Sequence, residues 1–360
     1  MKNWIKLSLC GLMVVALGGC GGTGKSDIDP QEVYGCSTLN VYNWGEYVGE
    51  NVLSNFERQY NVKINYSMFA SNEEMYTKLL GGSQYDVLVP SDYMIERMIA
   101  EDMLQPLDKS MIPNLANLSD GVKGLSYDPD NTYSAPYFWG MVGIVYNKNN
   151  VDPADVESQG FDVLRNEKYK GHVFVYDSER DSFMMALKAL GYSMNTESED
   201  EIQAAYEWLL DMDKKVDPSY VTDEVIDGMV TGEKDIAVVY SGDAAYILSE
   251  NEDMAYWLPE EGTNLWSDAM VIPANAKCPK LANEFINYIL SDDASYDNSS
   301  TVGYASSNKN VLEEMSSKGG EYDGNPAYLP RVDYSKDEVF KHNEVLKKKL
   351  ADLWIKVKNS

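Results

Sequence analysis

The feature that most constrains this chain is the regular alternation of strand-like and helix-like segments that begins at Thr38. LNVYNW (39–44) is an apolar run of strand length. Residues 48–60 place Val52, Leu53 and Phe56 at helical spacing. VKINYSMF (62–69) alternates with period two, 72–80 is helical up to Gly81-Gly82, 85–89 is an apolar strand running into Pro90-Ser91, and 93–104 is helical again. Repeated βαβ units build parallel sheets with helices on the faces, and their ligands sit beyond the carboxyl ends of the strands. The pattern resumes with strands over 172–177, 235–240 and 254–258, helices over 182–190, 202–212, 223–230 and 281–290, and a terminal helix over 336–357. Two longer strand-like runs, 133–147 and 270–276, are placed to carry the chain between two units. A chain of 360 residues exceeds one ordinary core. The expected architecture is therefore two α/β lobes joined by two crossings, with a cleft between them.

The first residues are not part of that fold. Lys2 and Lys6 precede an apolar run from Leu7 to Ala16, followed by Leu17-Gly18-Gly19-Cys20. A basic start, a short apolar stretch and small residues make a signal peptide over 1–19. The Leu-small-small-Cys ending resembles the bacterial lipobox, which makes Cys20 the lipidated first residue. Residues 20–37 read as a flexible tether, and the mature chain is expected at the outer face of the membrane or in the periplasm. Cys36 and Cys278 then remain in a compartment that permits disulfides, as one bridge or as two separate thiols.

Charge narrows the partners. Thirty Lys+Arg against 58 Asp+Glu give −28, and −30 once Lys2 and Lys6 leave with the leader. Such a balance excludes a nucleic-acid binder, whose affinity rests on cations meeting phosphates. Several chemistries are missing as well. Two histidines, His172 and His342, do not make a histidine metal cluster, and there is no CxxC, no Gly-x-Ser-x-Gly elbow and no phosphate loop. No metal or cofactor is expected, and no enzymatic activity.

What the strand ends do carry is aromatics and acids: Asn43-Trp44-Gly45-Glu46-Tyr47, Ser91-Asp92-Tyr93, Asp177 to Asp181, Tyr240, and Trp266-Ser267-Asp268. An alkyl ammonium ligand needs ring faces for its methylenes and cationic ends, and carboxylates for its N–H donors. At about 1.5–3 kcal/mol for a charge-assisted hydrogen bond and about 0.5–2 for a cation–π contact, two carboxylates and a few rings reach roughly micromolar binding. Each feature also has a structural alternative. Trp44 and Tyr47 fit a core, Ser178 and Asp181 fit a Ser-x-x-Asp helix cap, and Asp268 fits a turn. A sugar or a betaine-like amine would use the same rings, and paired acids also serve glycoside hydrolases.

Six segments in order, YNWGEYV (42–48), SNEEMYTKL (71–79), YDVLVPSDY (85–93), YSAPYFWG (133–140), MALKALGYS (185–193) and WSDAMVIPANA (266–276), resemble the spermidine/putrescine-binding proteins of ABC transporters. The likeness runs from about Leu39 to Tyr304. It implies a two-lobed periplasmic-binding-protein fold of type II. The first lobe is expected over 38–142 plus 267–312 and the second over 143–266 plus 313–360. The implied ligand is a polyamine, the implied partner an ABC permease, and the implied state a monomer. The implied lining residues are Trp44, Tyr47, Ser91, Tyr93, Trp266, Asp268 and Tyr304. Tyr240 stands in place of a Trp, Asp181 in place of a Glu, and Thr222 near a Ser. Two positions depart: Ser178 falls where the family has a second Asp, and Phe340 where it has a Gln. These put the choice between spermidine and putrescine in doubt.

Overall fold

The computed structural model describes residues 28–360. The expected leader over 1–19 and the lipid acceptor Cys20 lie outside the described residues. Residues 29–37, expected as tether, are already folded onto the body. Asp29 caps a one-turn helix Pro30–Tyr34, and Cys36 is bridged to Cys278 (S–S 2.12 Å), which settles the thiol alternatives in favour of the disulfide.

Ten strands form one mixed sheet. They are β1 (Thr38–Trp44), β2 (Lys63–Phe69), β3 (Val87–Leu88), β4 (Ser134–Asn147), β5 (Val173–Tyr176), β6 (Ser219–Val221), β7 (Ile236–Tyr240), β8 (Met254–Trp257), β9 (Leu265–Val271) and β10 (Ala305–Ser306). The order is β2-β1-β3-β9-β4-β7-β5-β6, with β8 and β10 also pairing β4. The βαβ reading holds within each half: β1 is parallel to β2 and β3, and β5 is parallel to β6 and β7. The two long strands depart from it, because β4 and β9 run antiparallel to their neighbours.

β4 is the crossing that the run over 133–147 predicts. Its first part pairs with β9 and β10, its last residues with β7 and β8, and all 14 residues are buried. Alternate side chains feed two cores, as a strand's period of two requires. Val142, Ile144 and Tyr146 join the cluster of Phe183, Trp208 and Trp354, whereas Val145 joins that of Phe174 and Met229. In the other lobe, Leu39 and Val41 pack with Phe56, Phe285 and Ile286, while Tyr42, Met94 and Val271 pack on the opposite face. Each fully buried large aliphatic contributes roughly 1.5–3 kcal/mol, so both lobes carry cores of their own on each sheet face.

Several boundaries move for physical reasons. The second crossing strand is Leu265–Val271 instead of 270–276, because beyond Val271 the chain leaves β3 and β4 and bridges instead to Leu104, with Gln105 N donating to Ile272 O (3.0 Å) and Ala274 N to Met103 O (2.8 Å). The terminal helix is Glu344–Val357 and not 336–357. Residues 336–343 stay out of the helix because Glu338 N donates to Thr263 O (3.0 Å), Leu265 N donates to Glu338 O (2.8 Å), and the Glu338 carboxylate takes the buried Lys188 ammonium (2.5 Å). Helices Ser241–Glu250, Asp292–Val302 and Lys309–Ser316 have no counterpart in the sequence reading. The second of these is almost wholly small and polar (DDASYDNSSTV), so it carries no apolar stripe to read. Among the described residues no helix is long and apolar enough to cross a membrane.

Candidate functional site

Asp268 sits in β9, opposite Phe138 of β4 and bridged to Ser91 at the start of the helix Asp92–Ala100. Its Oδ2 accepts the Tyr47 hydroxyl at 2.7 Å, and the side chain is buried. Burial pushes its pKa up to about 6, although hydrogen bonds from Ser91 and Tyr47 favour the anion. Its neighbour Asp92 is more extreme. Burial, aided by the charge of Asp268, pushes it up to about 8 against hydrogen bonds from the Tyr93 and Ser267 amides. At neutral pH Asp92 is therefore largely a neutral acid, and Asp268 carries the charge of this end.

Asp181 supplies the charge of the other end. It lies in the first turn of the helix Glu179–Ala189, which Ser178 caps by accepting from the Asp181 amide at 3.3 Å. The capping alternative is thus half right: Ser178 does cap, yet the Asp181 carboxylate is not used on the helix end. Its Oδ2 accepts the Ser178 hydroxyl (2.7 Å) and the Tyr240 hydroxyl (2.8 Å), while Oδ1 is buried and takes no hydrogen bond from the protein. Burial pushes its pKa up. A buried carboxylate oxygen without a donor is unfavourable unless an N–H or O–H meets it.

Between the two acids runs a continuous band of rings. Tyr47 and Tyr304 have centroids 6.0 Å apart, Tyr304 and Trp266 5.0 Å, and Trp266 and Tyr240 6.1 Å, all edge-to-face. Two glycines make the band possible. A Cβ on Gly242 would lie 2.1 Å from Tyr304 Cδ1, and one on Gly140 would lie 2.5 Å from Trp266 Cζ2. The indole Nε1 of Trp266 is also buried without a protein partner, and as a donor it suits an oxygen, unlike Asp181 Oδ1, which suits an ammonium.

A third acid joins the band. Asp243, in the first turn of the helix Ser241–Glu250, accepts the Tyr304 hydroxyl at 3.1 Å and the Tyr176 hydroxyl on its other oxygen. Burial pushes its pKa up to about 6. Three carboxylates held at raised pKa beside aromatic faces, none of them in a direct ion pair among the described residues, form an anionic environment that is the complement of an organic cation. Among the described residues no group of three or more His, Cys, Asp or Glu is placed to hold a metal ion.

The sequence matches the family described as bacterial extracellular solute-binding protein over residues 51–328. The chain belongs to that family. Its relatives include the spermidine/putrescine-binding periplasmic protein of Salmonella typhimurium, 37% identical over 313 residues that span 86% of this chain and 85% of the relative. The putrescine-binding periplasmic protein PotF of Escherichia coli is 30% identical over 351 residues, 92% of this chain and 90% of the relative. Among solved structures, the spermidine/putrescine ABC transporter substrate-binding protein PotD of Streptococcus pneumoniae superposes with a TM-score of 0.79 at 34% identity, covering 90% of this chain and 99% of the other. The solute-binding protein described here shares their two-lobed α/β fold.

Within this solute-binding protein the structure gathers Tyr47, Ser91, Asp268, Trp266, Tyr304, Tyr240 and Asp181 into one region. Other expected residues stand differently. Trp44 donates its Nε1–H to Val89 O (2.8 Å) and packs on Phe69 (4.6 Å). Thr222 gives its hydroxyl and amide to Glu224 (2.9 and 3.0 Å). Tyr93 accepts from Asn72 Nδ2 (3.0 Å), and the same amide holds Ser91 Oγ (3.1 Å). Tyr93 and Phe340 both lie against the Arg180 guanidinium. Sequence reasoning missed Asp243 and Asn72. Asp243 follows Tyr240 by three residues at a strand-to-helix junction, the kind of position that signals the other acids, but the sequence pattern marks no helix there. Asn72 hid in a Ser-Asn-Glu-Glu helix start, where Ser71 does the capping by accepting from Glu74 N at 3.1 Å.

Proposed function

We propose that this protein captures a small polyamine, spermidine or putrescine, between its lobes and delivers it to the permease of an ABC importer. The observation that carries this reading is the pair of buried carboxylates, Asp181 and Asp268, at opposite ends of the ring band Tyr47–Tyr304–Trp266–Tyr240. A protonated amine end meets each acid, the methylenes lie along the rings, and Asp243 adds a third acceptor on the Tyr304 side. The printed names of the relatives, spermidine/putrescine-binding and putrescine-binding, support the same class. Ser91 supports the Asp268 end, and Trp44, Tyr93, Thr222 and Phe340 belong to the outer part of the proposed site.

The protein acts by binding and release and not by catalysis. Closure about the crossings β4 and β9 presents the loaded form to the permease. We place the lobe limits at 38–142 plus 267–312 and 143–266 plus 313–360. In line with this, Leu350, Trp354 and Val357 of the terminal helix pack into the second-lobe core. The chain is held by lipid on Cys20 at the outer face of the membrane and works as a monomer. Isothermal calorimetry of the mature chain with putrescine, spermidine and spermine tests the reading. Roughly micromolar or tighter binding of at least one is expected, and no heat with any of the three refutes it.

A further inference from the structure

The terminal helix Glu344–Val357 is built into one lobe, yet its first turn holds the other. Leu350, Trp354 and Val357 sit in the core of Phe183 and Trp208. The chain on either side of that first turn is tied to the same lobe. Asn195 Nδ2 donates to Val339 O (2.9 Å), Asn343 Nδ2 donates to Glu197 (2.7 Å), and Lys349 pairs with Glu199. Between these anchors three groups face the other way. His342 N donates to Glu96 Oε2 (2.5 Å), Glu344 accepts from Arg97 Nη1 (2.6 Å), and Lys347 pairs with Glu73. Glu96 and Arg97 lie on the helix Asp92–Ala100 and Glu73 on the helix Asn72–Leu80. Both of those helices pack on the first-lobe core of Tyr42, through Met94 and Met75.

The first-lobe partners are set in place in advance. Arg97 Nε donates to Glu101 (3.0 Å), and its guanidinium lies 4.0 Å over the Tyr76 ring. Glu73 accepts the Tyr93 hydroxyl at 3.3 Å. Burial opposes its charge, but the hydrogen bond and charge of Lys347, with Arg180 beyond, hold its carboxyl below the usual range. Little side-chain freedom is therefore lost when the two sides meet. A pair made in only one of two conformations shifts their equilibrium by all that it contributes. For half-exposed pairs such as these the shift is up to about fivefold each. Neither Asp181 nor Asp268 bonds to any of these groups, and the ring band from Tyr47 to Tyr240 does not reach them. The pairs are the same whichever molecule lies between the acids.

We infer that Glu344 and Lys347, with Arg97 and Glu73, form a latch that holds the closed form and sets the residence time of every ligand without choosing among them. This rests on the reading above, capture of a polyamine between the lobes. Release requires opening, and opening breaks both pairs. Groups that touch the ligand change the ratio of affinities for two amines. Groups that only hold the lobes together change all off-rates by one factor. Arg180, laid over Tyr93, also joins the lobes, but it does so inside the proposed site and is not part of the latch.

The test is stopped-flow release of putrescine and of spermidine from the mature chain, followed by its tryptophan fluorescence, with calorimetry alongside. Glu344→Gln combined with Lys347→Gln is expected to speed release of both amines by about tenfold, by factors that agree within about twofold. Lys347→Arg keeps the charge and should stay within about threefold of wild type. Arg97→Gln removes one pair from the first lobe with the terminal helix untouched, so it tests the latch even where the double variant folds poorly. It should speed release, and adding Glu344→Gln to it should add little, because the same bond is already lost. Off-rates within about twofold of wild type in both the double variant and Arg97→Gln overturn the inference. A change confined to one of the two amines overturns it as well, since it would put these residues at the ligand. Failure of wild type to bind either amine refutes the polyamine reading instead, so the two failures are distinct.

Discussion

Replacing Asp268 by Asn should move stability and affinity in opposite directions. The carboxylate is 7% exposed, and burial raises its pKa from 3.8 to about 6 even though Ser91 and Tyr47 both hydrogen-bond the anion. At about 1.4 kcal/mol per pKa unit, that rise means the unliganded fold bears ~3 kcal/mol at neutral pH to keep this charge out of water. Asn removes the charge and still offers Tyr47 an acceptor, at the loss of about 1 kcal/mol as a charge-assisted hydrogen bond becomes a neutral one. The unliganded variant should therefore be about 1–2 kcal/mol more stable at pH 7.5, a few degrees in Tm. Because the folded pKa lies above the unfolded one, the native state holds the proton more tightly. The cost therefore grows as pH rises from about 4 to about 6 and is absent below that window. The variant's advantage should follow the same course. Removing the anchor should meanwhile weaken a polyamine by about 1.5–3 kcal/mol, roughly 10–150-fold. Thermal unfolding of the unliganded proteins from pH 4 to pH 8, with calorimetry at pH 7.5, measures both. A variant that is less stable at pH 7.5 and binds as well as wild type would show that Asp268 serves to hold Tyr47 and not a ligand.

Three other outcomes follow from the geometry. With Asp243 and Asp268 both raised to about 6, affinity for a polyamine should be flat above about pH 7 and fall as pH drops through 6; equal affinity at pH 8 and pH 5 in calorimetry would contradict this. Gly242→Ala should drive the Tyr304 ring off its seat, breaking its bond to Asp243 and its contact with Trp266. Affinity should fall by about tenfold and stability by about 1–3 kcal/mol, read by calorimetry and denaturation, and the idea fails if both match wild type. Reducing Cys36–Cys278, which spans 242 residues of chain, should lower stability by about 2–5 kcal/mol in denaturant while leaving polyamine affinity within about twofold; a collapse of binding in the still folded, reduced protein would refute that separation.

Element type was legible wherever burial imposed a period. β1, β2 and β4 and the helices Asn72–Leu80 and Pro279–Ile289 stand within two residues of where their apolar patterns put them. The misses share a cause. Asp292–Val302 has no apolar stripe, and residues 336–343 are kept out of the helix because Thr263, Leu265 and Lys188, distant in sequence, provide the partners of Glu338. The same division runs through the site. Asp268, Trp266, Tyr47 and Asp181 announced themselves as acids and rings at strand ends, whereas Asp243 and Asn72 became visible only when Tyr304, Tyr93 and Ser91 were brought against them.

By itself the sequence determined the α/β alternation, the crossing strand, the acidic balance and the stock of carboxylates and rings from which a cation site is built. These are local properties, written in spacing and composition. Tertiary structure alone decided which of those side chains meet. It left Asp181 Oδ1 buried without a donor, made Asp92 a neutral acid beside a charged Asp268, paired Cys36 with Cys278, and laid Arg180 over Tyr93. Each of these depends on desolvation or on contact across the lobes, and neither burial nor long-range contact is encoded in any short stretch of the chain.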